Sequence, residues 1–392
     1  MKRSAEIFMV ACFIIFLIGV MSATILREAE TYSYFENRML AKFPEYSTQS
    51  VGDGSYILQL ERYLADHTAF RTTLLRVKAR IDLTFQRPVV NDVVLTENRL
   101  LPYLPPETAV PGAINAQAEA MADNLKRISD TVQEYGGYYC YVAVPCQYAY
   151  FERDYPWYLN NRSELSRLSV SALSQALEER GVSFLDVRAS FDELGHPDNY
   201  GSKVDNHYTM QGAFKTYQLV MEKAAAESGL EFPILREEDV IFEILPNEYI
   251  GSRERKLLAM EQREEQLSIL LPKEEVPFTR TDNGNEVAPK VYSMPSNDWE
   301  LSTYDLYMGG DIAQTIIDTD REDLPSVLIY GDSFTNAMEC ILYLSFDKMY
   351  SLDLRHYHDM SLEGYIRLVQ PEIVICIRDY ETLLYQGANG GL

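Results

Sequence analysis

Cysteine, tryptophan and positive charge are all scarce in these 392 residues, and each shortage excludes something. Five cysteines are too few and too scattered for a disulfide framework. Cys140 and Cys146 share a face of one expected strand, but six residues of strand span about 20 Å, too far for a bridge. Only 35 basic side chains stand against 59 acidic ones, a net charge of −24. Binding to a phosphate backbone needs clustered Lys and Arg, so a nucleic-acid partner is excluded. Two tryptophans are set against 28 tyrosines, which favours apolar surfaces carrying a polar tip. A hydrophobic content of 46% excludes a disordered chain.

Long hydrophobic runs are also rare, with one exception at the start. Lys2 and Arg3 precede an uncharged, almost wholly apolar stretch from Ile7 to Leu26. Twenty residues of helix span about 30 Å, the thickness of a bilayer core. Cleaved leaders have shorter apolar regions and end in small-x-small, which Met21-Ser22-Ala23 matches poorly. The expectation is an uncleaved, single-pass signal anchor over residues 1–26. The basic pair then stays in the cytoplasm and the chain from Arg27 onward lies outside.

Residues 27–105 read as a stalk and helical layer. Tyr56 to Leu83 has helical spacing, with Asp66, His67 and Arg71 inside one helix, and a hairpin follows over 93–103. Residues 106–392 alternate helices with apolar runs. Helices are expected over 113–135, 166–180 and 209–228, and strands over 138–144, 182–187, 326–330 and 372–377. That alternation predicts an α/β domain with a parallel sheet covered on both faces. An irregular, charged insertion occupies about 230–311, with a short helix over 254–267 and a solvated run from Arg253 to Glu265.

Chemistry concentrates at two places. A buried strand runs into Gly331-Asp332-Ser333-Phe334 and then a helix, where ligands of open α/β sheets sit. A serine there meets free N–H groups and the positive end of a helix, which suits a nucleophile. The plainer alternative is that Asp332 or Ser333 caps the helix. The second place is Val204-Asp205-Asn206-His207-Tyr208. Asp205 and His207 are two apart on an extended segment, so they point the same way and can supply a base and its orienting acid. His356 and His358, near Asp353 and Asp359, lack a third imidazole, so no metal and no cofactor is expected.

Gly331-Asp332-Ser333-Phe334 resembles the nucleophile block of GDSL/SGNH hydrolases, and Asp205-Asn206-His207-Tyr208 resembles the Asp-His-His-Trp signature of the DHHW family. That family is related to the periplasmic alginate O-acetylation proteins. Phe35-Glu36-Asn37-Arg38, Asp66-His67 with Arg71, Gly251-Ser252, Gly309-Gly310 and Ser351 to Arg355 resemble further landmarks. Asp-x-His precedes Ser here, so the resemblance implies an SGNH-like fold with circularly permuted motif order. It implies Ser333 as nucleophile, His207 as base and Asp205 as its acid. Gly309, Gly310 and Asp332 fall around the oxyanion and substrate, with the N–H of Ser333. Asn206 and Tyr208 depart from the middle His and the Trp, and Asp311 stands where Asn follows the glycine pair.

The implied activity is transfer of acetyl groups to a cell-envelope or exported polysaccharide through an acyl-serine, with a multipass membrane O-acyltransferase as partner. A carbohydrate acetylesterase would use the same three residues. A non-catalytic carbohydrate-binding or scaffold protein would keep only the fold.

Overall fold

Lys2–Leu26 forms one continuous helix, α1, in a computed structural model that describes residues 2–28, 30–36 and 38–388. Met1 of the expected anchor, Asn37 of the Phe-Glu-Asn-Arg motif and residues 389–392 lie outside the described residues. From Glu6 to Leu26 the mean hydropathy is 2.6 and none of the span is buried, so α1 is long and apolar enough to cross a membrane.

Two compact units form: one reaches to Val93 and takes in Glu254–Gln262, and the other holds 94–253 and 263–392. In the first, the single helix expected over 56–83 is two. Ser55–His67 is α2 and Arg71–Thr84 is α3. Thr68 is extended and Phe70 is left-handed at φ 61°, which stops one helix and starts the next. The motif residues hold each other across this break. Arg38 pairs with Asp66, and Arg71 binds Glu36 at 2.6 and 3.0 Å. The Arg38 guanidinium keeps the Asp66 carboxyl down at about 2.

The second unit is built on eight strands. In chain order they are β1 Tyr138–Val144, β2 Ser183–Asp186, β3 Thr279–Asp282, β4 Asn285–Val287, β5 Gln314–Asp318, β6 Val327–Gly331, β7 Lys348–Asp353 and β8 Ile373–Asp379. They lie side by side as β4-β3-β5-β7-β6-β8-β1-β2. The five from β7 to β2 are parallel. The wholly parallel sheet expected from sequence is therefore a mixed one, because β3, β4 and β5 extend it antiparallel. Asn283 and Gly284, both at positive φ, make the two-residue turn that joins β3 to β4. Part of the expected irregular insertion is thus sheet, and Val240–Ile244 pairs with Ser268–Pro272 besides.

The helices α4 Pro111–Gln133, α5 Ser163–Glu179, α6 Met210–Ser228, α7 Thr335–Leu342 and α8 Leu362–Val369 cover the faces of the sheet. Helix α4 packs on α5 and α8, while α6 packs on α7. In α4, Ile114, Ala118, Met121, Ala122, Leu125, Ile128 and Val132 are buried, an apolar face at helical spacing. The helix expected over 254–267 is only Ser252–Lys256, since Leu258 and Ala259 take left-handed φ of 58° and 55°.

Candidate functional site

All five residues of β6 are buried, as a strand flanked on both sides by β7 and β8 requires. Its last residue must be glycine, because a Cβ on Gly331 would stand 2.3 Å from the Ile377 carbonyl oxygen. The chain then turns into α7. Asp332 makes that turn: its side chain accepts from the Phe334 N–H at 3.0 Å and its carbonyl from the Thr335 N–H at 2.9 Å. The same carboxylate accepts from the Asp379 N–H and Thr382 hydroxyl, both at 3.2 Å. Asp332, expected at the substrate, is thus buried and engaged in fastening the turn to the end of β8. Burial and the neighbouring Asp332 charge together push the Asp379 carboxyl up. Ser333 is left half-exposed at the crest.

The second motif meets the first there, 126 residues away in sequence. His207 Nε2 lies 2.7 Å from Ser333 Oγ, and its Nδ1 lies 2.5 Å from Asp205 Oδ1. Asp205 is buried, and burial raises its pKa. The hydrogen bond and charge of His207, the Ser252 N–H and Arg253 overcome that, and the group ends well below the usual carboxylate range. An ionised Asp205 calls for the proton on Nδ1, which leaves the Nε2 lone pair to accept from Ser333. Ser252 donates its N–H to Asp205 Oδ2 at 2.6 Å. Gly251 permits that approach, since a Cβ there would stand 2.4 Å from the Val204 carbonyl oxygen.

The residues departing from the family signature are all in use. Asn206 accepts from Arg253 at 3.2 Å through its side chain and from the Gln147 N–H at 3.1 Å through its carbonyl. Tyr208 is buried edge-on against Phe334, and its hydroxyl donates to the Phe334 carbonyl.

Gly309 and Gly310 form a turn at φ 86° and 97° that follows Met308, whose carbonyl accepts from buried Arg280 on β3 at 2.7 Å. The Gly310 N–H is taken by the Tyr307 carbonyl, whereas that of Gly309 makes no such bond among the described residues. Asp311 accepts from Asn336 Nδ2 at 3.2 Å, which joins this turn to the first turn of α7. Its charge is matched by Arg355 at 2.8 Å. Asp311, Asp353 and His356 offer ligand atoms within 4.8 Å of one another. Arg355 binds both carboxylates, so a cation is already supplied there. His358 is exposed and outside the group.

Three supporting residues carry no motif that sequence reasoning recognises. Tyr304 stacks on the His207 ring at 3.7 Å and 7°. Gln147 holds the Leu100 and Ser202 carbonyls at 3.0 Å each. Glu265, expected on a solvated helix face, accepts through one oxygen from Ser202 Oγ, the Lys203 N–H and the Val204 N–H at 2.8, 2.9 and 3.2 Å. It thereby shapes the segment leading into Asp205, and burial raises its carboxyl to about 7. A cavity of about 480 Å³ lies behind this wall, lined by Tyr208, Tyr249, Tyr304, Tyr307 and Glu265. Another of about 970 Å³, lined by Glu152, Arg188 and Tyr380 among others, touches neither Ser333 nor His207.

Residues 105–289 match the family model described as SGNH hydrolase-like domain, acetyltransferase AlgX. The structure of Bacillus cereus PatB1 with a sulfonyl adduct superposes with a TM-score of 0.63 at 18% identity, covering 76% of this chain and 97% of that one. A DHHW family protein from Eubacterium siraeum superposes at 0.57 and 17% identity, covering 78% of this chain and 97% of that one. At these identities the likeness speaks for the fold. No curated protein matches the sequence significantly.

Proposed function

Because the chain carries an SGNH hydrolase-like domain related to the polysaccharide O-acetylation proteins, we propose that it is a serine-dependent O-acetyltransferase of the cell envelope. The domain faces outward from a single membrane-spanning anchor, and the acceptor is an exported or cell-envelope polysaccharide. The observation that carries this reading is the continuous line of contacts Ser333–His207–Asp205, at 2.7 and 2.5 Å. The order Asp-x-His before Ser supports the circularly permuted arrangement.

Ser333 Oγ attacks the acetyl carbonyl carbon as its proton passes to His207 Nε2. Asp205 stabilises the imidazolium. The oxyanion draws on the N–H groups of Ser333 and Gly309, which make no backbone hydrogen bond among the described residues. Collapse breaks the bond to the leaving group, which takes the proton from Nε2 and leaves acetyl-Ser333. A sugar hydroxyl then gives its proton to Nε2 and attacks the ester, and Ser333 regains that proton as the acetylated sugar departs. The acetyl group reaches the outside through a multipass membrane O-acyltransferase. Water in place of the sugar turns the same steps into an esterase.

The test is the detergent-solubilised chain offered an acetyl ester, with and without a neutral oligosaccharide. Turnover lost in Ser333→Ala, with acetylated sugar detected by mass spectrometry, is the expected result. Acetate without acetylated sugar at any acceptor concentration overturns transfer in favour of hydrolysis. Wild type as inert as Ser333→Ala overturns catalysis and leaves a binding or scaffold role.

A further inference from the structure

Helix α3 carries more positive charge than its surroundings predict. Its 14 residues hold Arg71, Arg76, Lys78 and Arg80 against the single acid Asp82, in a chain with 59 acids and 35 bases. Leu74, Val77 and Ile81 are about half exposed along it, and Phe70 and Phe85 at its two ends are 62% and 73% exposed. At about 100° per residue these five fall within an arc of roughly 80°. Lys78 and Arg71 border one edge of that arc, Arg80 stands beyond the other, and Arg76 lies further round on the same flank. The buried residues of the helix are Ala79, on the opposite side, and Asp82, on the Lys78 flank, where it pairs with Lys78. An apolar stripe with bases along both edges is turned away from the unit's own packing.

The start of this helix is fixed to the end of α1. The Ala69 N–H donates to Thr24 Oγ1 at 2.9 Å, in the last turn of the apolar span. Ala23, Arg27 and Glu30 line one crevice together with Ala69, Phe70 and Arg71. A hydrophobic span that ends at the bilayer surface therefore brings Phe70 to that surface. Arg71 and Lys78 are already paired with Glu36 and Asp82, so a helix starting there meets acyl chains with its stripe and anionic headgroups chiefly with Arg80 and Arg76.

We propose that α3 is a second membrane attachment, an interfacial helix whose Phe70–Leu74–Val77–Ile81–Phe85 stripe lies in the outer leaflet of an anionic bilayer. This rests on α1 spanning the bilayer and is independent of the chemistry at Ser333. Attachment at two points holds the first unit close against the membrane instead of on a free tether.

The experiment uses the full chain in nanodiscs, with Trp157→Phe and Trp299→Phe removing the two native indoles and Ile81→Trp adding one. Co-elution with the discs reports α1 separately. In discs of phosphatidylglycerol and phosphatidylcholine, Trp emission is expected to shift to the blue. Brominated acyl chains should quench it by about half, as for side chains at the headgroup boundary. Arg80→Glu, or discs of phosphatidylcholine alone, should reduce that quenching at least about two-fold. Near-ultraviolet circular dichroism unchanged from the parent shows that the substituted chain remains folded. Water-like emission without quenching in anionic discs overturns the proposal. So does shielding that appears only with two or more copies per disc and without lipid quenching, which assigns the stripe to a second copy.

Discussion

Glu265 shows how much a single carboxylate can decide. Its folded pKa, about 7, is raised above the ordinary value of 4.5, so the native state holds its proton more tightly than the unfolded chain. Its contribution to stability is full below about 4.5 and is lost as pH rises through about 7. Glu265→Gln removes that slope. Relative to wild type, the variant should gain on the order of 2 kcal/mol between pH 5 and pH 8, read by chemical denaturation of the solubilised protein. Equal slopes for both proteins would show that Glu265 keeps its usual ionisation. Asp205 is the opposite case, a carboxylate held below its usual range. Asp205→Asn puts an amide where His207 needs an acceptor and favours the wrong imidazole tautomer. Acetyl-ester turnover should fall about 10³- to 10⁴-fold, far beyond the loss of folded protein, and the melting temperature should fall too because the amide sets a donor against either His207 or the Ser252 N–H. The three residues at the centre were legible because each sits in a short motif of distinctive spacing. Glu265, Gln147 and Tyr304 were not, since each acts through a long-range contact that leaves no local pattern. The bonds that make Glu265 a support are spent on a segment some 60 residues earlier.

At the level of elements, the sequence was readable where apolar runs were unbroken. Tyr138–Val144 forms a strand with the limits its composition suggests, and Thr209 caps α6 by accepting from the Gly212 N–H. Helical spacing misleads where one residue changes the direction of the backbone. Phe70, Leu258 and Ala259 take left-handed conformations that their side chains disfavour, so helical spacing continued past points where the helix stops. Strands β3 and β4 were missed because Thr, Arg, Asp and Asn make a poor apolar signal, although Asn283-Gly284 between them is a hairpin turn. The connection at Gly251 is as exacting as the turn at Gly331. Gly251→Ala forces a Cβ against the Val204 carbonyl and displaces the Ser252 N–H from Asp205. A cost of about 1–3 kcal/mol is expected in thermal unfolding, with turnover reduced further than folding alone explains. Full activity at wild-type stability would remove Ser252 from the support of Asp205.

Across the whole molecule, charge is distributed unevenly about the anchor. Outside the first 26 residues stand 33 basic and 58 acidic side chains, a net charge of −25. A uronic-acid chain approaches against that average field, whereas a neutral polysaccharide does not. Neutral oligosaccharide acceptors should therefore show the higher kcat/KM. The gap should narrow as salt rises from about 20 to 500 mM and the screening length shrinks. A uronic acceptor preferred at low salt would point to a local basic groove. The stack of Tyr304 on His207 adds a consequence of another kind. Tyr304 belongs to the same connection as Gly309 and Gly310, and exposed Trp299 lies five residues before it. An acceptor that moves this connection should disturb both the stack on the imidazole and the surroundings of a native indole. Trp299 emission in Trp157→Phe, Ser333→Ala protein is therefore expected to shift on addition of oligosaccharide, and an unchanged spectrum at saturating acceptor would place acceptor engagement away from this connection.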